Sequence, residues 1–192
     1  LKKGDVVREA VHYPFDDNMS SFSCSNDTLN KVYDLCKYSI KATSFTGVYI
    51  DGDRERTPYA ADAYINQLGH YNVDREYSMA RRSYYYILNH PTWPTEWILQ
   101  TVLIAWNDYL YTGDNRMLLA TYEQLKPYLL TQLQEKNGLI STTTGLQTHD
   151  FLESIKSKGK IRDIVDWPSS GLGLNETGGG EADGFVFTDY KD

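Results

Sequence analysis

Apolar residues recur at spacings of three and four along most of the chain as far as Lys136, and polar or glycine-containing breakers separate the runs. Leu29, Val32, Tyr33, Leu35, Cys36 and Ile40 fall at helical intervals behind the cap candidates Ser25, Asn26 and Asp27. The first helix is therefore expected over LNKVYDLCKYSIKATSF, with Cys36 buried on its apolar stripe. Pro58, a favoured first-turn residue, precedes YAADAYINQLGHY, the second helix. Asp74 offers a cap for a third that runs to about Asn89, with Arg81 and Arg82 on a solvated face. Thr95 begins a capping signal before EWILQTVLIAWNDYLYTGD, and Gly113 closes that fourth helix. Asp114 can cap NRMLLATYEQLKPYLLTQLQEK, the fifth, which Pro127 should kink. Beyond it NGLIS reads as a turn at Gly138 into a short strand, and THDFLESIKSKGK as a short helix at most. The pattern is all-α, with residues 1–22 as an extended lead-in from an upstream β-domain and the helical domain following from residue 23.

Composition narrows the function classes. The 192 residues suffice for one domain with a substantial core. A net charge of -7 and no basic cluster argue against nucleic acid and against an anionic membrane surface. No apolar run approaches the roughly 18 residues that a membrane span requires, so membrane insertion is not expected, and no n-region with an h-region opens the chain. Cys24 and Cys36 make neither a CxxC nor a metal-ligand spacing, and His12, His70, His90 and His149 are scattered, so neither a metal nor another cofactor is indicated. The glycine-rich SGLGLNETGGGEAD lacks the frame of a phosphate loop and reads as a flexible cover over a cleft, with Glu181 a possible polar contact. Sixteen Tyr, six Phe and four Trp stand out. Most fill the core, but such rings also stack on the C–H faces of sugars while a polar tip bonds a hydroxyl.

The chemistry concentrates in residues 47–63, GVYIDGDRERTPYAADA, where four acids, two arginines, two glycines and a proline lie between two helical runs. Arg54 and Arg56 alternate with Asp53 and Glu55, so each carboxylate has a guanidinium neighbour that can hold it ionised. Crowded carboxylates also raise one another's pKa, which separates an acid from a base. Glycoside hydrolysis uses that pair. The same residues equally suit a solvated, ion-paired loop. Asp62, one turn into the second helix at its positive end, is better suited to contact a substrate than to donate a proton.

DGDRERTPYAADA, followed by YINQLGHYNVDREYSMARR and HPTWPTEW, resembles the catalytic domain of the bacterial α-L-rhamnosidases of glycoside hydrolase family 78. Their signature is an aspartate, a short polar spacer, Asp-Glu-Arg, then Trp-x-Gly-Asp-Ala. Glu55 before Arg56 matches the general-acid glutamate, Asp62 before Ala63 the later aspartate, and Asp51 the opening aspartate that contacts the sugar. Asp53 matches either a substrate contact or a partner for Arg56. Arg54 stands where an acid is usual, Tyr59 and Ala61 replace the Trp and Gly, and Leu99 replaces an acid two residues after Trp97, as in a divergent subgroup. Glu96 could substitute for that acid. Trp93 and Trp97 are candidates to line the sugar site, as are Asp166 and Trp167 by their match to an Asp-Trp beside it.

The resemblance implies an (α/α)6 toroid of six-hairpin type, of which about five helices would be the first half, completed by remaining segments of the parent polypeptide. It implies inverting hydrolysis of terminal α-L-rhamnosyl residues, a carbohydrate substrate, no cofactor, and a general base further towards the C-terminus that no residue here matches. Periplasm or cell envelope fits such an enzyme ahead of the cytoplasm. A toroidal glycosidase acting on another sugar, or a non-catalytic carbohydrate-binding helical module, would also account for the same residues.

Overall fold

The computed structural model describes residues 2–52 and 55–162. Its helices are α1 (Asp27–Ala42), α2 (Ala60–Val73), α3 (Ser78–Asn89), α4 (Thr95–Thr112), α5 (Arg116–Leu125) and the short α6 (His149–Ser154). Two 3-10 turns, Lys126–Leu129 and Thr131–Leu133, follow α5. Among the described residues there is no strand, only two isolated bridges, Gln134 with Ile140 and Pro94 with Arg162. The first is what becomes of the expected strand in NGLIS.

Local chemistry sets the helix ends. Asn26 caps α1, its Oδ1 accepting from the Thr28 and Leu29 amides at 2.9 and 3.3 Å. The helix stops at Ala42, before the expected end, where the Thr43 hydroxyl donates to Ser39 O and that of Ser44 to Lys41 O. Asp74 does not start α3. It ends α2, its backbone N–H donating to His70 O, and α3 begins at Ser78, where Glu76 accepts from the Ser78 amide. Gly113 closes α4 in the left-handed region, at φ 69°. Asp114 bonds the Arg116 amide at the start of α5, and hydrogen bonds from Arg116 hold its carboxyl well below the usual range. Pro127 ends α5 instead of kinking it. The missing N–H and the ring's crowding tighten the chain into a 3-10 turn, and Leu130 then reverses direction at φ 56°.

The core lies where α2, α3 and α5 meet α4. Met79, Tyr84, Leu88, Ile98, Ile104 and Tyr128 are all essentially inaccessible. Polar tips inside it are bonded: Thr121 Oγ1 donates to Met117 O, so Tyr84 Oη donates to Thr121 Oγ1 at 2.6 Å, and Tyr128 Oη donates to Leu88 O at 2.7 Å. Gln67 of α2 donates to Ile104 O of α4. Arg81 is no solvated residue. Its Nε lies 3.0 Å from Oδ1 of the buried Asp108, which also accepts from Tyr71 Oη at 2.6 Å.

α1 packs differently. It approaches α2 where Gly69 leaves room, since a Cβ there would stand 3.0 Å from Ile40 Cδ1. Its Tyr33 and Lys37 hold the preceding segment, Tyr33 Oη donating to Ser20 Oγ and Lys37 Nζ to Ser20 O. The predicted apolar stripe faces away: Leu29, Val32 and Leu35 are 52%, 48% and 64% exposed, and Cys36 is exposed instead of buried. The helix turns its mixed face inward because the residues it meets, Ser20 and Asp17, offer polar partners.

Candidate active site

The acidic loop hangs from two buried residues. Tyr49 and Ile50, each 1% exposed, are fixed by donation from Tyr49 N to Ser83 Oγ at 2.8 Å and from Asn66 Nδ2 to Ile50 O at 3.3 Å. The apolar VYI run therefore anchors the loop to α2 and α3. From there Asp51 turns the chain back: its N–H donates to Thr57 O at 3.1 Å, and its Oδ1 accepts from the Thr57 amide at 2.9 Å. This carboxylate is half-buried and closes the base of the loop.

Glu55 is exposed at the tip. Its Oε2 accepts from Tyr59 Oη at 2.8 Å. Burial and the Glu55 carboxylate push the Tyr59 phenol up to about 12, so it keeps its proton across the ordinary working range and remains a donor. The Tyr59 ring leans on Trp97, with centroids 5.4 Å apart and planes 58° to one another. Arg56, next to Glu55, holds a left-handed φ of 56° and sets its guanidinium over the Phe45 ring at 5.5 Å. Such a backbone costs a non-glycine residue about 1 kcal/mol and persists because neighbouring contacts fix it. Asp62 is half-buried in the first turn of α2, where the helix dipole favours its charge.

Trp93 ends the α3–α4 turn and Trp97 lies one turn into α4. Trp93 carries the Arg162 guanidinium over its ring at 5.0 Å. The Pro94–Arg162 bridge holds this arrangement, with Arg162 N donating to Trp93 O and Thr95 N to Arg162 O. Glu96 is half-buried, and Leu99 packs against the core. The structure thus joins Glu55, Tyr59 and Trp97 in one chain of contacts. It gives Asp51 a share in shaping the loop. Asp53, Arg54, Asp166, Trp167 and Glu181 lie outside the described residues.

A family model of the bacterial alpha-L-rhamnosidase six-hairpin glycosidase domain matches residues 17–166, most of the chain. The chain belongs to that family. No curated protein and no solved structure matches it. The all-α architecture accords with a six-hairpin glycosidase domain, and the matched span of this rhamnosidase-type domain includes the acidic loop, Trp93 and Trp97, and ends at Asp166.

Tyr59 joins the candidate site through the structure, having been noted in the sequence only as a departure from the signature. Its signal was present, four residues after Glu55 and directly after Pro58, but it stands where the rhamnosidase signature has a tryptophan. A second cluster, centred on His70 of α2, gave no sign in the sequence. Tyr49 Oη lies 2.6 Å from His70 Nδ1, and His70 Nε2 lies 3.5 Å from Asp74 Oδ2. The buried Tyr49 phenol keeps its proton and donates to Nδ1, which leaves the proton of the neutral imidazole on Nε2, facing Asp74 without a hydrogen bond. Burial holds the His70 pKa below its ordinary value against the pull of Asp74 and Glu76, and raises that of Tyr49.

Proposed function

We propose that this domain hydrolyses terminal α-L-rhamnosyl residues with inversion at the anomeric carbon, and that Glu55 is the general acid. The observation that carries the reading is the solvent-facing Glu55 carboxylate held by Tyr59 Oη at 2.8 Å, within the span of the family match. Proton donation to a glycosidic oxygen needs a carboxyl group that a substrate can reach and whose orientation is fixed. A donor that never loses its proton near neutrality supplies the second requirement, and the loop tip supplies the first.

In an inverting reaction a second carboxylate activates water on the opposite face of the sugar, about 6.5–9.5 Å from the acid. We assign no described carboxylate to that role, so this chain by itself should turn over little substrate. Asp51, Asp53, Arg54 and Asp62 would bind sugar hydroxyls, and Trp93, Trp97, Asp166 and Trp167 would line the ring's apolar face and its edge.

The test is hydrolysis of a panel of nitrophenyl glycosides and a rhamnosyl disaccharide by the parent enzyme, wild type beside Glu55→Gln. The rhamnosides alone should be cleaved, and the substitution should lower kcat on the disaccharide by about a hundred- to ten-thousand-fold, as for loss of a general acid. The loss on nitrophenyl rhamnoside should be smaller, because an activated leaving group needs less protonation. Cleavage of another sugar would reject the specificity, and an active Glu55→Gln enzyme on the disaccharide would reject the acid. Turnover by the 192-residue chain, abolished by Glu55→Gln, would put the base within these residues.

A further inference from the structure

The overall charge of -7 conceals one concentration of cations: residues 155–162 hold Lys156, Lys158, Lys160 and Arg162 and no acid. The expectation of no basic cluster was therefore wrong for this segment. The loop leaves α6 through a left-handed Lys156, φ 56°, fixed by donation from Lys156 N to Glu153 O and from Ser157 N to Leu152 O. It then runs beside the α3–α4 turn, and together they line a cavity of about 370 Å³ whose walls include Asn89, His90, Trp93, Lys156, Lys158 and Lys160. A second cavity of about 330 Å³, with Thr142, Gln147 and Arg162 in its wall, shares Lys160 with the first.

No carboxylate among the described residues neutralises these lysines. Lys156 Nζ donates only to amide oxygens, those of Asn89 at 2.6 Å and Gln124 at 3.2 Å. Thr92 Oγ1, also in the wall of the first cavity, is buried without a hydrogen-bond partner. His90 donates Nδ1–H to Tyr86 O at 2.9 Å, which leaves Nε2 as its remaining polar atom. The site therefore combines three lysines that no carboxylate among the described residues neutralises, neutral amide and hydroxyl groups, and an indole ring.

We propose that this cavity binds an oxyanion-bearing sugar, a uronate or sulfate-ester residue of an acidic polysaccharide. The inference rests on the glycosidase reading for its substrate class. The lysines complement the oxyanion, Trp93 offers an apolar ledge to the sugar ring, and the neighbouring amides and hydroxyls suit its remaining oxygens. The position suits such a role as well. Trp93 stands four positions before Trp97, which contacts Tyr59, the donor to Glu55. A nucleic acid could use the same cations, but the cluster is confined to one loop of an acidic chain, whereas a phosphate backbone needs a longer basic track.

Calorimetric binding to the full chain tests this with four probes: a uronate hexasaccharide, the same oligosaccharide after carboxyl reduction, a sulfated hexasaccharide, and a single-stranded oligonucleotide. At low ionic strength one of the two acidic sugars should bind at least about tenfold more tightly than the reduced one, as expected of hydrogen bonds to a charged group. The tighter of the two identifies the oxyanion. Lys158→Ala/Lys160→Ala should abolish that preference, whereas Lys3→Ala/Lys31→Ala, with the same charge change, should preserve it. Trp93→Ala should weaken reduced and acidic sugars alike. Equal affinity for acidic and reduced sugars, equal loss in both double variants, or tighter binding of the oligonucleotide would overturn the proposal. Glu55→Gln should bind the acidic probe as wild type does. Binding that persists in an enzyme inactive on every glycoside would reject the glycosidase reading and keep this site, and a working rhamnosidase without the preference would do the reverse.

Discussion

At the scale of single residues one hydroxyl meets the proposed acid. Tyr59 Oη donates to Glu55 at 2.8 Å, and its ring leans in turn on Trp97. Removing only the oxygen leaves the ring and its packing in place. Tyr59→Phe is therefore expected to lower kcat on a rhamnosyl disaccharide by about tenfold or more, the scale of a hydrogen bond to a charged group, with Tm nearly unchanged. Steady-state kinetics beside a thermal melt would check it, and an unaltered kcat would mean that Tyr59 does not position the acid. Glu55 and Asp51 stood out as candidates because acids crowded among arginines are conspicuous. Tyr59 was visible only as a replacement for the signature's tryptophan, because nothing else in the order of residues tells which of sixteen tyrosines aims its hydroxyl at a carboxylate.

At the scale of elements, what the sequence makes legible is helix existence, and what it hides is helix orientation and ends. Gly113 was readable as the stop of α4, since a glycine after a long apolar run is the residue best suited to a left-handed cap. A methyl group added there would meet nothing within 4 Å, so the cost of Gly113→Ala is conformational alone, about 1 kcal/mol, and urea denaturation should report that loss with an unchanged m-value. Asp74 misled because an acid near a helix start is also at home at a helix end when a buried histidine lies one turn back. Pro127 misled because a proline can break a helix as readily as bend it. The α1 stripe misled most: periodicity shows that a helix has an apolar face, not that the face is covered. The basic loop after α6 was missed because net charge averages it away.

For the molecule as a whole, the all-α class and the family were legible from the acidic loop and the helical period, while the couplings between distant segments were not. His70 is the centre of one such coupling. It stacks on Phe15 at 5.7 Å, bonds Tyr49 at the root of the acidic loop, and faces Asp74, whose Oδ2 lies 3.4 Å from the Asp16 amide. One buried ring thus ties the N-terminal segment, the acidic loop and α2 together. Burial lowers its pKa from the ordinary 6.5, so the folded chain takes up a proton less readily than the unfolded chain. The stability this contributes is complete above the unfolded value and is lost as pH falls from about 6.5 towards the folded value. Thermal melts should therefore give a constant Tm above about pH 7 and a falling one below about 6.5, while His70→Gln, which keeps an acceptor for Tyr49, should start from a lower Tm and show a shallower fall. Parallel curves for the two proteins would assign the pH dependence elsewhere. If the curves do diverge, protection of the Tyr49 and Asp16 amides from hydrogen exchange should drop together in acid, because both segments lean on the same imidazole.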